Sequence, residues 1–288
     1  MKQPQVVIVG HICIDQNVAE HATYRSWGGP ALYIESYYRK QHSLRARVIT
    51  TYGSDLLPFI DDIDLIPSKP QASHSMMYRN VMNAGKRTLY CEHADYARPR
   101  PLDDTAIAAL KAADICIVAP LAPNYSIEHV KRILSYCTPQ CVKLLGPQGY
   151  FRHIGTDGSV SPRDFKEAEE LLPLFDMTVL SDEDHPQVRA QADRWKKLPG
   201  VNNIVMTHGP LGASILRAEG DQLIPTKAVP EEDVVDSVGC GDVFEGSLAY
   251  EYYRLRDVPS AVAEAHKAAR RKLLAHDAHV QGDLIALP

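Results

Sequence analysis

Cysteine is sparse in this chain, six residues in 288, scattered along it with no CxxC pair. The opening "MKQPQVVIVG" runs straight into strand-like residues and has none of the layout of a signal peptide. Together these predict a reduced, cytoplasmic protein. Long apolar runs are missing too. The longest, such as "DICIVAPLAP", fall far short of the roughly 20 residues a membrane helix needs. There is no long basic stripe, and with a formal net charge of −5 and both signs interspersed a dedicated nucleic-acid binder is disfavoured. Small molecules are the expected partners. GxxxxGK[ST], GxGxxG and HExxH are absent, and the late "HDAH" (276–279) reads as a solvated tail. No internal repeat, low-complexity tract or interdomain linker is visible.

What is present is enough for a sizeable core: 45% of the residues are hydrophobic, which excludes disorder and suits one large or two modest α/β domains. Short apolar runs at 5–14, 46–53, 113–121, 142–146, 176–181 and 203–210 read as strands buried on both faces. Helical patterns lie between and after them, at 29–41, 126–137, 161–173, 182–198, 241–255 and 259–275. This alternation predicts a doubly wound, mostly parallel α/β sheet. One stretch departs from it. Residues 73–95 are strand-like on both sides of "NAGK", a turn signal, with no helix between. The expectation is a single domain, 1–288, with small β lid segments at about 14–27 and 73–95.

The stretch "VVDSVGCGDVFEGSLAYEYYR" (234–254) places small residues at the mouth of a helix. A helix starting near Gly241 would present free backbone N–H groups, and Gly239, Cys240 and Gly241 are small enough to let an anion reach them. Asp242, in the first turn, would lie beside that anion, where a carboxylate needs a task, such as taking a proton from a hydroxyl. A purely structural reading stands beside this one, since Asp at a helix start suits the dipole and Gly ahead of a helix is common.

"DSVGCGDVFEG" resembles the C-terminal signature DTxGAGDxFxxG of the ribokinase/PfkB family of carbohydrate and nucleoside kinases, with departures that include Ser237 and Cys240. "VVIVGHICIDQNV" resembles the family's first strand with its substrate-binding aspartate, here Asp15. "WGGPALYIES" resembles the following GG motif, with Tyr33 where many members have Asn. "LLGPQGYFRHIGTDGSVSP", "DMTVLSDED" and "VMTHGPLGASIL" follow in the family's order, so the resemblance spans roughly 5–275.

The resemblance implies a ribokinase-like fold, ATP as phosphoryl donor with Mg²⁺, Asp242 as general base, and the backbone of Gly239, Cys240 and Gly241 as the anion hole. It assigns Asp15, Gly28, Gly29 and Tyr33 to the acceptor, and Thr207, Gly209, Gly212 and Ser237 to the nucleotide. Arg152 is a candidate contact to the phosphate or the acceptor, the alternative being a surface arginine. In place of the family's metal-organising NxxE stands Ser181 with Asp184, which also reads as a helix-start [ST]xx[DE] pattern. His266 and Lys267 fall where relatives contact adenine. The small lid, Tyr33 and "PQGYFR" tilt the acceptor towards a myo-inositol-like polyol. A nucleoside kinase, with Met76, Met77 and Tyr78 as the base's wall, and a non-catalytic metabolite binder are the alternatives. Pairing of lid hairpins would give a homodimer.

Overall fold

The computed structural model describes residues 3–19, 22–60, 62–83, 86–275 and 284–285. Strand β1 (Val6–Gly10) is buried along its whole length, as a parallel strand covered on both faces must be. The chain then leaves the plane of β1 in an antiparallel pair, β2 (Cys13–Ala19) and β3 (Ala22–Gly28). Gly29, with φ 95°, turns it into helix α1 (Pro30–His42), whose first residue has a ring that pre-sets the helical φ.

Strands β4 (Arg47–Ile49) and β5 (Asp64–Ile66) return to the main sheet. The hairpin β6 (Met77–Asn83) and β7 (Lys86–Glu92) leaves it again. Helix α2 (Asp104–Lys111), β8 (Ile115–Ala119), α3 (Ile127–Tyr136) and β9 (Val142–Leu145) come next. A small hairpin of β10 (Arg152–Ile154) and β11 (Val160–Pro162) precedes α4 (Ala168–Leu171), β12 (Met177–Ser181), α5 (Val188–Trp195) and β13 (Ile204–Thr207). Two antiparallel strands, β14 (Ala213–Arg217) and β15 (Gly220–Ile224), complete that edge. Helices α6 (Cys240–Leu255) and α7 (Val258–Leu273) and the short β16 (Leu284–Ile285) end the chain.

The main sheet has nine strands in the order β15-β14-β13-β12-β9-β8-β1-β4-β5, parallel from β13 to β5. Its two faces are read off β1. Val6 and Ile8 pack with Leu32 of α1, Val243 and Phe244 of α6 and Val262 of α7, while Val7 and Val9 pack with Leu110 of α2, Val130 of α3 and Trp195 of α5. Period-two alternation thus builds a doubly wound sandwich. Strand order reverses beside β1, the place where such sheets open a crevice at their carboxyl ends.

The lid segments expected at about 14–27 and 73–95 fall in one five-stranded second sheet, β16-β3-β2-β6-β7, in which β2 pairs in parallel with β6. Two expectations need correction. No helix spans 161–173. Arg163 N–H donates to Phe151 O, extending the β10–β11 hairpin, and Pro162 and Pro173 confine the helix between them to the single turn of α4. The helix expected from 182 starts only at Val188, because Pro186 disfavours helical backbone at His185. Ala84 and Gly85 of the expected turn, and residues 276–279, lie outside the described residues.

Candidate active site

One cleft of about 730 Å³ opens at the carboxyl ends of the central strands, between them, the second sheet and the start of α6. At its centre is the mouth of α6. Gly239 caps the helix with φ 78°, and a Cβ there would lie 2.5 Å from the ring of Tyr33. Both the left-handed backbone and the tyrosine demand glycine. Gly241 is the opposite case, with no atom within 4 Å of a Cβ position and its surface facing the cleft. The amide of Cys240 already donates to Ser237 O at 3.2 Å, so Gly241 and Asp242 carry the first-turn N–H groups that a helix leaves open.

Asp242 points into the same space. Burial pushes its carboxyl up to about 7, against the pull of Arg152, with Asp15 and Asp184 adding to the rise. Arg152 follows the turn after β9, its Nη1 donating to Leu121 O at 3.3 Å and its guanidinium 5.0 Å above the ring of Tyr78. The Tyr78 hydroxyl donates to the same carbonyl at 2.7 Å. Leu121 is itself held, its N–H donating to Nδ1 of His11 at 2.8 Å, while Nε2 of His11 reaches Ala97 O at 3.2 Å. Burial lowers His11 to about 4, so it is a neutral ring accepting at one nitrogen and donating at the other. Arg152 is therefore positioned, not a loose surface side chain.

Asp15 reaches the cleft from β2, and Gly29, Pro30 and Tyr33 line it from α1. Gly28 does not line it. A Cβ at Gly28 would lie 2.3 Å from Asp15 Oδ2 and 3.1 Å from the Tyr33 hydroxyl, so this glycine makes room for that pair. Burial, and then Asp15, raise the Tyr33 phenol, keeping it protonated. From the second sheet, alternation turns Tyr78, Asn80 and Leu89 towards the cleft. Met76 is instead buried with Cys13 and Cys91, and Met77 is not part of the wall.

The other end of the cleft is formed by Thr207, Gly209, Gly212 and Ser237, with Lys227 to Val229 facing His266, Ala269 and Arg270 of α7. Gly209 and Gly212, at φ 51° and 106°, close the turn after β13, where His208 N–H donates to Gly212 O at 2.8 Å. Arg270 Nη1 donates to Lys227 O at 2.8 Å and Ala228 O at 2.9 Å, fixing that wall. Lys267 pairs with Glu264 at 2.6 Å and is absent from the cleft.

Two carboxyls lie behind the cradle. Ser181 N–H donates to Asp184 Oδ2 at 2.7 Å, and burial raises Asp184 to about 6. Ser181, Asp182 and Glu183 line the cleft, whereas Asp184 does not. Glu245, one turn along α6 from Asp242, was not singled out from the sequence, since it occupies an unspecified letter of the signature. Its carboxyl packs on Gly146, its Oε2 is buried without a hydrogen-bond partner, and burial followed by Asp242 and Asp184 raises it well above the usual range. A buried acid three residues after Asp242 was the available signal. Among the described residues no three His, Cys, Asp or Glu side chains are arranged to hold a metal. This acidic floor fits Mg²⁺ carried by phosphate and water oxygens and not by a protein cage.

Residues 165–280 match the family model for pfkB family carbohydrate kinase. No curated protein matches the chain by sequence. Solved structures match over nearly its whole length. A pyrophosphate-dependent myo-inositol-1 kinase converted into a myo-inositol-3 kinase is 14% identical with TM-score 0.75, covering 95% of this chain and 94% of that one. Adenosine kinase from Schistosoma mansoni, with 2-fluoroadenosine, is 11% identical with TM-score 0.73, covering 95% and 96%. The Methanocaldococcus jannaschii nucleoside kinase, an archaeal member of the ribokinase family, is 14% identical with TM-score 0.69, covering 97% and 94%. The chain thus shares the ribokinase-like fold of these structures.

Proposed function

We propose that the protein transfers the γ-phosphate of ATP to a hydroxyl of a small polyol or sugar, with a myo-inositol-like acceptor favoured. The observation that carries this reading is the convergence of Asp242, Arg152 and Asp15, from three separate elements, on one cleft beside the open amides of α6. The acceptor lies against Asp15 and Tyr33, whose carboxylate and phenol match a hydroxyl as donor and as acceptor. Gly29 lets the acceptor approach the backbone closely.

Asp242, in its ionised form, takes the proton of the acceptor hydroxyl as the oxygen attacks. Charge on the transferring phosphoryl group meets the amides of Gly241 and Asp242, the N-terminal dipole of α6 and the Arg152 guanidinium, held in place by Leu121 and Tyr78. Mg²⁺, bound through donor phosphates and water, would neutralise the remaining phosphate charge, with Asp184 and Glu245 as the carboxyls behind its water shell. Thr207, Gly209, Gly212 and Ser237 bind the donor's phosphates and ribose, and the wall of Val229, Ala269 and Leu273 suits a base.

A nucleoside acceptor is the second reading, favoured by the apolar and aromatic wall of Tyr78, Leu89 and Leu121 in the same cleft. A cytoplasmic location agrees with six free cysteines. A homodimer would use the edge of β7, and a light-scattering mass of only 32 kDa rules it out.

The deciding experiment measures phosphoryl transfer from ATP or pyrophosphate, with Mg²⁺, to polyols, sugars and nucleosides, with Asp242→Asn as control. Turnover on a polyol, lost in the variant, supports the proposal, and turnover on a nucleoside selects the second reading. Acceptor binding without turnover from either donor points to a metabolite-binding relative. Turnover undiminished in Asp242→Asn removes that residue from the base role.

A further inference from the structure

Three cysteines meet at the end of the main sheet opposite the cleft. Cys116, the second residue of β8, is in register with Lys143 of β9, and Cys141 stands two residues ahead of Lys143. Residues in register share a face, and so do residues two apart, so Cys116 and Cys141 point the same way. Both are buried in the core cluster under α2 and α3, and Cys137, the C-cap of α3, packs against that cluster from the partly open rim. The Cys137 thiol donates to Ile133 O at 3.9 Å and the Cys141 thiol to Val142 O at 3.6 Å. The intervening "CTPQC" is drawn tight by Cys141 N–H donating to Thr138 O at 3.1 Å. None of the three lines the cleft.

We propose that Cys137 is an oxidation site, a thiol that reacts with hydrogen peroxide and is then joined by Cys141 in a disulfide. In the first step the Cys137 thiolate attacks one peroxide oxygen and the O–O bond breaks. The departing hydroxide takes a proton to become water, leaving Cys137 as the sulfenic acid. In the second, Cys141 Sγ attacks the Cys137 sulfur, the S–S bond forms and the S–O bond breaks. The leaving hydroxyl carries off the Cys141 proton as a second water. Two thiols lose two electrons in total and one peroxide is reduced to two waters.

The setting supplies what the first step needs. The neighbouring Cys116 and then Cys141, with the Lys143 ammonium nearby, lower Cys137 below the ordinary thiol range, which raises its share of thiolate at neutral pH. Its two neighbours are driven the other way, Cys116 and Cys141 both raised by Cys137 and by burial. The charged groups facing the triad are Lys143 on β9 and Asp176 ahead of β12. Cys137 is the member at the rim, where an oxidant arrives, and Cys141 is the buried thiol on the same short loop.

The test exposes the intact protein to a small molar excess of hydrogen peroxide, blocks remaining thiols by alkylation and maps peptides by mass spectrometry. A Cys137–Cys141 cross-link that dithiothreitol reverses and Cys137→Ser abolishes is expected. In Cys141→Ser the sulfenic acid should persist at Cys137 and be trapped by dimedone. Alkylation of Cys137 should also rise less steeply with pH than that of a free thiol, which accelerates about tenfold per pH unit below its pKa. A steep pH profile at Cys137, a link to Cys116 in place of Cys141, or oxidation confined to Cys13, Cys91 or Cys240 would each overturn the proposal.

Discussion

Asp242 combines two demands that pull against each other. To take a proton it must be ionised, yet burial holds its carboxyl up at about 7. The ionised base is therefore lost as pH falls below that value, and kcat/KM should decline on the acid side of about pH 7, as a pH–rate profile with saturating donor will report. Asp242→Asn should lower kcat by roughly 10²–10⁴ with donor affinity retained. The two cradle glycines make a sharper pair. Gly239→Ala meets both a left-handed backbone and the Tyr33 ring, and should cost about 2–4 kcal/mol in denaturant unfolding. Gly241→Ala meets nothing, so stability should stay within about 0.5 kcal/mol while the donor KM rises, its methyl occupying the phosphate's approach. Equal stability losses in the two variants would contradict this account of the cradle. The residues were legible in the sequence because a helix N-terminus is a local feature. Gly28 was misread as a contact because its use, making room for Asp15 and Tyr33, depends on a strand pairing that spacing does not reveal. The positioning role of His11 was invisible for the same reason, as its partners lie 86 and 110 residues away.

At the scale of elements, the donor end of the cleft depends on how the loop before α6 is tied to α7. Asp236 does both parts of this, accepting from Val238 N–H at 2.9 Å and from Lys272 Nζ at 2.7 Å. Val235 N–H adds a bond to Leu273 O at 2.8 Å. The ion pair is largely buried, with side-chain exposures of 6% for Lys272 and 18% for Asp236, so removing one partner strands the other charge. Lys272→Met should cost about 3–5 kcal/mol and raise the KM for the donor more than that for the acceptor. Thermal unfolding and a two-substrate kinetic analysis check both parts. Equal rises in the two KM values would mean that the loop does not shape the donor end. Elements with a strong periodic signal, such as β1, β8 and α6, were legible because each is buried in the manner its pattern demands. The helix expected over 161–173 and the early start expected for α5 failed where proline overrode an amphipathic pattern. The second sheet was underestimated because its strands come from three distant parts of the chain, and only their pairing makes one sheet of them.

For the whole molecule, two sets of buried groups set opposing slopes of stability against pH. Asp242, Asp184, Glu245, Glu35 and Glu251 all have raised carboxyls, chiefly through burial. Above the ordinary carboxylate range the folded chain keeps protons that the unfolded chain has released, so stability from this set falls as pH rises until each group ionises. His11, His42, His129 and His266 are lowered, again chiefly by burial. Below about pH 6.5 the unfolded chain binds protons that the folded chain refuses, so stability from this set falls as pH drops. Between about 4 and 6.5 the two sets oppose one another, and the thermal midpoint should change little. Above 6.5 the histidines are neutral in both states, and raised Asp242 and Glu245 lower stability with rising pH against the single opposing slope of the lowered Cys137 thiol, so the midpoint should fall as pH is raised through 7 towards 8. Asp242 carries part of that alkaline decline, and Asp242→Asn should flatten it and gain stability over the parent at pH 8 more than at pH 5. Differential scanning fluorimetry across the range reads both curves. If parent and variant decline with the same slope above pH 6.5, the ionised Asp242 is not a cost to the fold, and the trade between stability and catalysis ascribed to it is absent.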